Sequence, residues 1–251
     1  MKEIPFLQVN DQKITMGDVV SRLKLSGLMS QVETEMINVN SIKKAAEEAN
    51  ISVSDDELQR VVDDKRYRLG LESADDTYQW LDEKSLTVED LEHYCEFLIL
   101  RDKFKHQLTE GKTEEYFAKN KLSFEKAEVS QILVSDHSTA KELLTQVRDE
   151  GADFELLAYK YSLDQKSGCR GGYLGSVGHN SLKPEWEAAI FGARAGEVIG
   201  PFESDEGFHL IRVHSVQRPE LEEVGEDMVR EMMLSEWLEQ GRTGAKIDYS
   251  F

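Results

Sequence analysis

Gly171-Gly172-Tyr173-Leu174-Gly175 is the stretch whose reading decides the fold. Glycines at 171, 172 and 175 mark backbone that turns tightly or lies against other backbone, and Leu174 is the one strongly apolar side chain held between them. The spacing predicts a glycine-rich loop at which something small and apolar docks.

Working outward, Leu182-Lys183-Pro184-Glu185-Trp186-Glu187-Ala188-Ala189-Ile190-Phe191 reads as a helix opened by proline. Two apolar segments follow, Gly196-Glu197-Val198-Ile199-Gly200-Pro201-Phe202 and Glu206-Gly207-Phe208-His209-Leu210-Ile211-Arg212-Val213, and Ser130-Gln131-Ile132-Leu133-Val134 lies upstream. This order of motifs, spread over Lys126 to Arg218, resembles the parvulin family of peptidyl-prolyl cis/trans isomerases. The resemblance implies a small antiparallel or mixed sheet wrapped by helices, an α+β fold, acting on X-Pro bonds without a cofactor.

Composition narrows the alternatives. Asp and Glu number 49 against 30 Lys and Arg, for a net charge of −19, so nucleic acid and anionic membrane are repelled over most of the surface. Cys95 in a helical pattern and Cys169 in the glycine-rich loop read as two free thiols of a reducing compartment. Asn10-Asp11 interrupts the N-terminal apolar residues before they form a signal-peptide core, and no window approaches the ~18 apolar residues of a membrane span. The expectation is a cytoplasmic protein with no membrane insertion.

Before the sheet comes a run of helical patterns. Phe6 to Val9, Asn10-Asp11 and Lys13-Ile14 predict a short extended segment or hairpin, and Thr15 an N-cap. Apolar residues then recur at helical spacing to Asn50, broken at Gly27. Ser54 with Glu57, Ser73 with Asp76 and Thr87 with Asp90 each have the spacing of a capping box, in which the hydroxyl and the acidic side chain serve each other's backbone amides. A short helix over Thr113–Lys119 ends the series. Val9-Asn10-Asp11-Gln12-Lys13-Ile14-Thr15 and Ile51-Ser52-Val53-Ser54-Asp55-Asp56-Glu57-Leu58 resemble the N-terminal part of bacterial parvulin-type foldases such as the periplasmic chaperone SurA and its Gram-positive lipoprotein relatives. Three segments are therefore expected: a helical, SurA-like domain over 1–124, a parvulin-type domain over 125–218, and over 219–251 a C-terminal helix that completes the first domain. That helix, Pro219 to Gln240, carries Leu221, Val224, Met228, Met232 and Trp237 on one side, and is marginal alone in water.

Rotating an X-Pro bond needs no proton transfer, nucleophile or metal, because its barrier of about 18–20 kcal/mol is lost amide conjugation. Catalysis means holding the twisted amide better than the planar one. Leu174, Leu182, Trp186 and Phe208 offer a dry slot for the proline ring, and the first three match the family's proline-pocket positions. The polar candidates are Asp164, His209, Gln131 and Ser204. By the resemblance, Asp164 stands at the family's active-site Cys or Asp and His209 at the second of its paired histidines. Gln131 replaces the first histidine, and Tyr173 replaces the acidic residue usual in the glycine loop. His137, His179 and His214 lack metal-ligand spacing, so no zinc site is assigned. Ser135-Asp136-His137-Ser138-Thr139 carries no basic cluster, which argues against phosphoserine-proline recognition. The expected partner is a proline-containing, unfolded polypeptide client. The competing expectation is a parvulin-shaped chaperone or peptide-binding module with little isomerase activity, assisting export or maturation of particular peptides.

Overall fold

The computed structural model describes residues 3–179 and 182–243. The chain divides into two compact units, Met1–Lys112 with Arg230–Phe251, and Thr113–Val229. The first is therefore assembled from both ends of the chain.

The first unit opens with a hairpin, β1 (Pro5–Val9) and β2 (Gln12–Thr15), turning at Asn10 with φ 53°. Helices follow: α1 (Met16–Leu25), α2 (Met29–Glu48), α3 (Asp55–Arg68), α4 (Ala74–Glu83) and α5 (Val88–Thr109). Each of α1, α3, α4 and α5 starts on a complete capping box, at Thr15/Asp18, Ser54/Glu57, Ser73/Asp76 and Thr87/Asp90. Their first-turn amides are satisfied by residues three positions away, so each start is fixed locally. Gly27, at φ 76°, separates α1 from α2. Leu81, Leu91 and Cys95 form one buried cluster, covered by Leu58, Val61, Val62 and Trp80.

The second unit starts with α6 (Thr113–Lys119) and a 3-10 turn over Lys121–Phe124. Its sheet contains β3 (Lys126–Val134), β4 (Tyr173–Gly178), β5 (Val198–Ser204) and β6 (Gly207–Gln217) in the order β4-β3-β6-β5, every neighbour antiparallel. Between the strands run α7 (His137–Asp149), α8 (Phe154–Tyr161), α9 (Gln165–Gly168) and α10 (Pro184–Gly192). Alternation along the strands gives the sheet two apolar faces. Ile132, Val134, Val198 and Leu210 meet Ala140 and Leu143 of α7 and Phe154, Leu157 and Ala158 of α8. Ala127, Val129, Ile199, Ile211 and Val213 meet Ile190 and Phe191 of α10.

The glycine stretch differs from its sequence reading. It is the entrance to a strand, with Tyr173 opposite Ser130 and Gly175 opposite Val129 across a bulge. Gly172 lies at φ 82°, and its carbonyl accepts the Gln131 N–H at 2.8 Å. A Cβ at Gly172 would overlap the Gln131 carbonyl oxygen, so only glycine permits this approach.

The domain boundaries fall at 112/113 and 229/230 rather than at 124/125 and 218/219. Residues 113–124 fall with the sheet unit; within them Phe117 packs on Phe124, ring centroids 5.0 Å apart, and Lys121 pairs with Glu220 of the same unit at 2.8 Å. The expected C-terminal helix is two helices, α11 (Leu221–Val224) and α12 (Glu226–Thr243), parted by Gly225 at φ 81°. That break changes the buried stripe: Val229, Leu234 and Leu238 are buried, while Met228 is 56% exposed. Leu234 and Leu238, with Trp237 beside them, complete a core with Ile42 and Phe104 of the helical unit. Glu231 accepts both Arg101 guanidinium nitrogens at 3.1 and 2.6 Å and the Lys105 ammonium at 3.0 Å. Residues 244–251 of the expected C-terminal segment lie outside the described residues.

Candidate active site

Four polar residues from distant parts of the sequence meet on the α10 side of the sheet. Gln131 lies on β3, His209 on β6 and Ser204 at the end of β5, and Asp164 caps the short α9. They form one continuous row. Ser204 Oγ lies 2.7 Å from His209 Nε2, His209 Nδ1 lies 3.2 Å from Gln131 Oε1, and Gln131 Nε2 donates to Asp164 Oδ2 at 2.9 Å.

The directions of these bonds follow from one anchor. Because Gln131 gives its NH₂ to the carboxylate, its carbonyl oxygen faces His209, so Nδ1 must carry the hydrogen. Burial pushes the His209 imidazole below the ordinary histidine value of 6.5, which favours the neutral ring. Its Nε2 then accepts from the Ser204 hydroxyl, whose oxygen in turn accepts the Glu206 N–H at 3.1 Å. Every dipole in the row points the same way, toward Asp164. The amide of Gln131 thus links His209 to Asp164, accepting from one and donating to the other.

Asp164 ends the row in a fixed position. Ser167 donates to Oδ2 at 2.5 Å and the Lys166 N–H to Oδ1 at 3.1 Å. Ser167 was not among the sequence candidates, although a serine three residues after a turn aspartate is a recognisable local partner. The Ser167 hydrogen bond holds the Asp164 carboxyl below the usual 3.8, outweighing the opposite push of burial. Asp164 therefore both caps a turn and belongs to the row.

Apolar side chains adjoin the row. The Trp186 ring sits 4.7 Å from the His209 ring and 5.4 Å from Phe202, and Leu182, Trp186 and Phe202 each pack against the core that contains Ile190, Phe191 and Ile199. Phe208 is on the other face: it follows the alternation of β6, packs with the α7 and α8 core, and meets the His137 ring at 5.2 Å. Phe202, directly opposite His209 in the β5–β6 register, takes the wall expected of Phe208. Leu174 is 42% exposed and stands outside the Trp186 cluster. Tyr173 faces the His214 ring, 6.0 Å away. Beside the row opens a cleft of about 700 Å³, lined by Gln131, Leu133, Leu163, Asp164, Gln165, Lys166 and Glu206.

The site has a definite pH dependence. Unfolded His209 binds its proton near 6.5 and the native residue only at lower pH, so stability drawn from the neutral ring is complete above 6.5 and falls as pH drops below it. Asp164, depressed below 3.8, keeps its contribution until pH falls further still. Activity should hold from neutral pH to below 6.5 and then decline with His209 protonation, which replaces the acceptor facing Ser204 with a donor. A pH profile of kcat/KM checks this; a decline beginning above pH 7 would contradict the neutral-ring assignment.

Residues 135–215 match the rotamase family model, described as the PPIC-type PPIase domain. The foldase protein PrsA of Halalkalibacterium halodurans is 29% identical over 215 residues, covering 82% of this chain and 63% of the relative. PrsA of Geobacillus kaustophilus is 39% identical over 107 residues, covering 43% of this chain and 37% of the relative. The chain thus spans less than two thirds of the length of these relatives. Among solved structures, the peptidylprolyl isomerase PrsA of Bacillus anthracis superposes with a TM-score of 0.51 at 26% identity, covering 86% of this chain and 99% of that one. Residues 135–215 thus carry a domain of the rotamase family, the PPIC-type PPIase domain.

Proposed function

We propose that this chain is a foldase that catalyses cis/trans isomerisation of X-Pro bonds in unfolded or flexible polypeptide. The observation that carries the reading is the apolar surface of Trp186 and Phe202 beside His209, adjoining a polarised row that ends on the Asp164 carboxylate. A prolyl ring in the slot would place its amide beside His209 and Gln131. A planar amide bears more negative charge on its oxygen than a twisted one, so a fixed carboxylate nearby raises the ground state relative to the twisted state. His209, Gln131 and Ser204 keep that charge oriented, and the chemistry calls for no cofactor.

The experiment is a refolding reaction limited by proline isomerisation, run beside an aggregation-suppression assay. The uncatalysed step takes tens to hundreds of seconds, which leaves a wide margin for detection. A lowering of the barrier by only ~3 kcal/mol gives over a hundredfold. Suppressed aggregation without acceleration would favour the chaperone reading. One observation supports a chaperone contribution in either case: the helical unit has an apolar cavity of about 320 Å³ lined by Lys65, Trp80, Leu86, Asp90, Leu91 and Tyr94.

The cleft also sets a preference for the residue before proline. Leu133 and Leu163 give it an apolar wall, and the Asp164 and Glu206 carboxylates outnumber Lys166. Peptides with phosphoserine or glutamate before proline should be turned over no faster than those with leucine or phenylalanine. A strong preference for the phosphorylated peptide, in parallel kcat/KM measurements, would contradict this account of the cleft.

A further inference from the structure

His179 stands just past the end of β4 and takes no part in the row from Ser204 to Asp164. Its side chain is 11% exposed, and both ring nitrogens face carboxylates: Nδ1 lies 2.8 Å from Glu187 Oε1 and Nε2 lies 3.5 Å from Glu125 Oε2. The ring also stacks on Phe191, centroids 3.6 Å apart and 15° from parallel. Glu125, its side chain 9% exposed, meets Arg218 Nε at 3.5 Å, and Arg218 donates to the Phe191 carbonyl at 2.6 Å. One imidazole thus ties together the residue before β3, the end of β4 and helix α10.

The place of Glu187 gives the tie its consequence. It follows Trp186, whose ring forms the slot wall against His209, and Leu182 of the same wall donates its N–H to the His179 carbonyl at 3.4 Å. The core residues Ile190 and Phe191 hold the C-terminal half of α10. At its first turn, His179 supplies the polar link to the sheet. We propose that His179 is a positioning residue of the isomerase site: by bridging Glu125 and Glu187 it fixes the first turn of α10 and thereby the depth of the slot at Trp186. The proposal rests on the isomerase reading only in taking the slot to hold a prolyl ring.

Substitutions at 179 separate this role from mere packing. Arginine offers donors to two carboxylates and stacks on an aromatic face, glutamine donates through one nitrogen only, and alanine does neither. His179→Ala should raise KM for a proline peptide about tenfold with kcat little changed, the pattern of lost ground-state binding. His179→Arg should restore KM to within about twofold of the natural chain, and His179→Gln should fall between. The second readout does not need catalysis: ¹⁹F NMR of the full chain labelled with 5-fluorotryptophan, with the Trp186 line assigned by Trp186→Phe. That line should move in His179→Ala and return in His179→Arg, while the Trp80 and Trp237 lines stay in place.

An unmoved Trp186 line with an unchanged KM in His179→Ala would overturn the proposal. So would an arginine variant no better than alanine. If His179→Ala fails to fold, Glu187→Gln, which keeps the shape and removes the charge, should shift the Trp186 line and KM in the same direction; an unchanged line there would also overturn the proposal. Absence of isomerase activity in the natural chain would defeat the isomerase reading, and the Trp186 line alone would then decide the role of His179.

Discussion

Asp164→Asn should lower kcat by roughly tenfold to a hundredfold while shifting the melting temperature by only a few degrees. The substitution removes the charge but keeps the shape and one accepting oxygen. In the natural chain Oδ2 receives Ser167 and Gln131 and Oδ1 receives the Lys166 N–H. An asparagine keeps the first pair and loses the last, at a cost of about 1 kcal/mol. Asp164→Ala should be worse on both counts, since it leaves the hydroxyl of the buried Ser167 and the Gln131 amide without their acceptor, a penalty of about 1–3 kcal/mol. His209→Ala belongs with it. His209 is 5% exposed and is the shared partner of Ser204 and Gln131, so the loss of rate should come with a loss of stability. The shared hydrogen bonds, and burial at His209, make both alanine variants costly to stability as well as to rate. Wild-type turnover in Asp164→Asn, measured at saturating peptide, would remove the carboxylate charge from the mechanism.

The second large effect lies in the helical unit. Truncation before Pro219 should unfold or aggregate that unit, and Leu234→Ala alone should destabilise it by about 2–5 kcal/mol. Leu234 is fully buried between Ile42, Phe104 and Leu238, with the Trp237 ring edge-on to Phe104 at 4.8 Å. Removing Leu234, Leu238 and Trp237 together forfeits burial worth roughly 1.5–3 kcal/mol each, comparable in sum with the whole stability of an ordinary domain. The same cut takes Glu231 from Arg101 and Lys105, of which Lys105 is deeply buried. The segment 113–229 contains both cores of the sheet unit and should fold when made alone. Thermal unfolding followed by far-ultraviolet circular dichroism, on the truncated chain and on the isolated segment, checks both statements. An unchanged melting curve for the truncated chain would place α12 outside that core.

What was legible in the sequence was mostly what is decided locally. The pairs Ser54/Glu57, Ser73/Asp76 and Thr87/Asp90 announce helix starts because each closes its hydrogen bonds within four residues, and Gly27 announces a break because its φ of 76° suits glycine. β4 was hidden because its pairing partner β3 is some 40 residues distant in sequence, and because glycines interrupt the alternation that marks a strand. The C-terminal helix was found, but its register was not. Leu221, Val224, Met228 and Met232 make as good a stripe as Val229, Leu234 and Leu238, and only the turn at Gly225 and the waiting core decide between them. In the site, Asp164, His209, Gln131 and Ser204 converge although up to 78 residues separate bonded neighbours. Such convergence has no periodic signal, and only the family pattern brought these residues together. The misplacement of Phe208 was avoidable, since adjacent strand residues point to opposite faces and His209 already occupied the site side.

The central claim is that the slot and the row beside it rotate prolyl bonds, and line-shape or exchange NMR on a proline peptide at equilibrium tests it most directly. Adding the full chain should speed cis/trans exchange in proportion to its concentration, Asp164→Asn should lose most of that gain, and Trp186→Ala should weaken it through KM. Exchange that stays at the uncatalysed rate with folded protein present in equimolar amount would contradict the account.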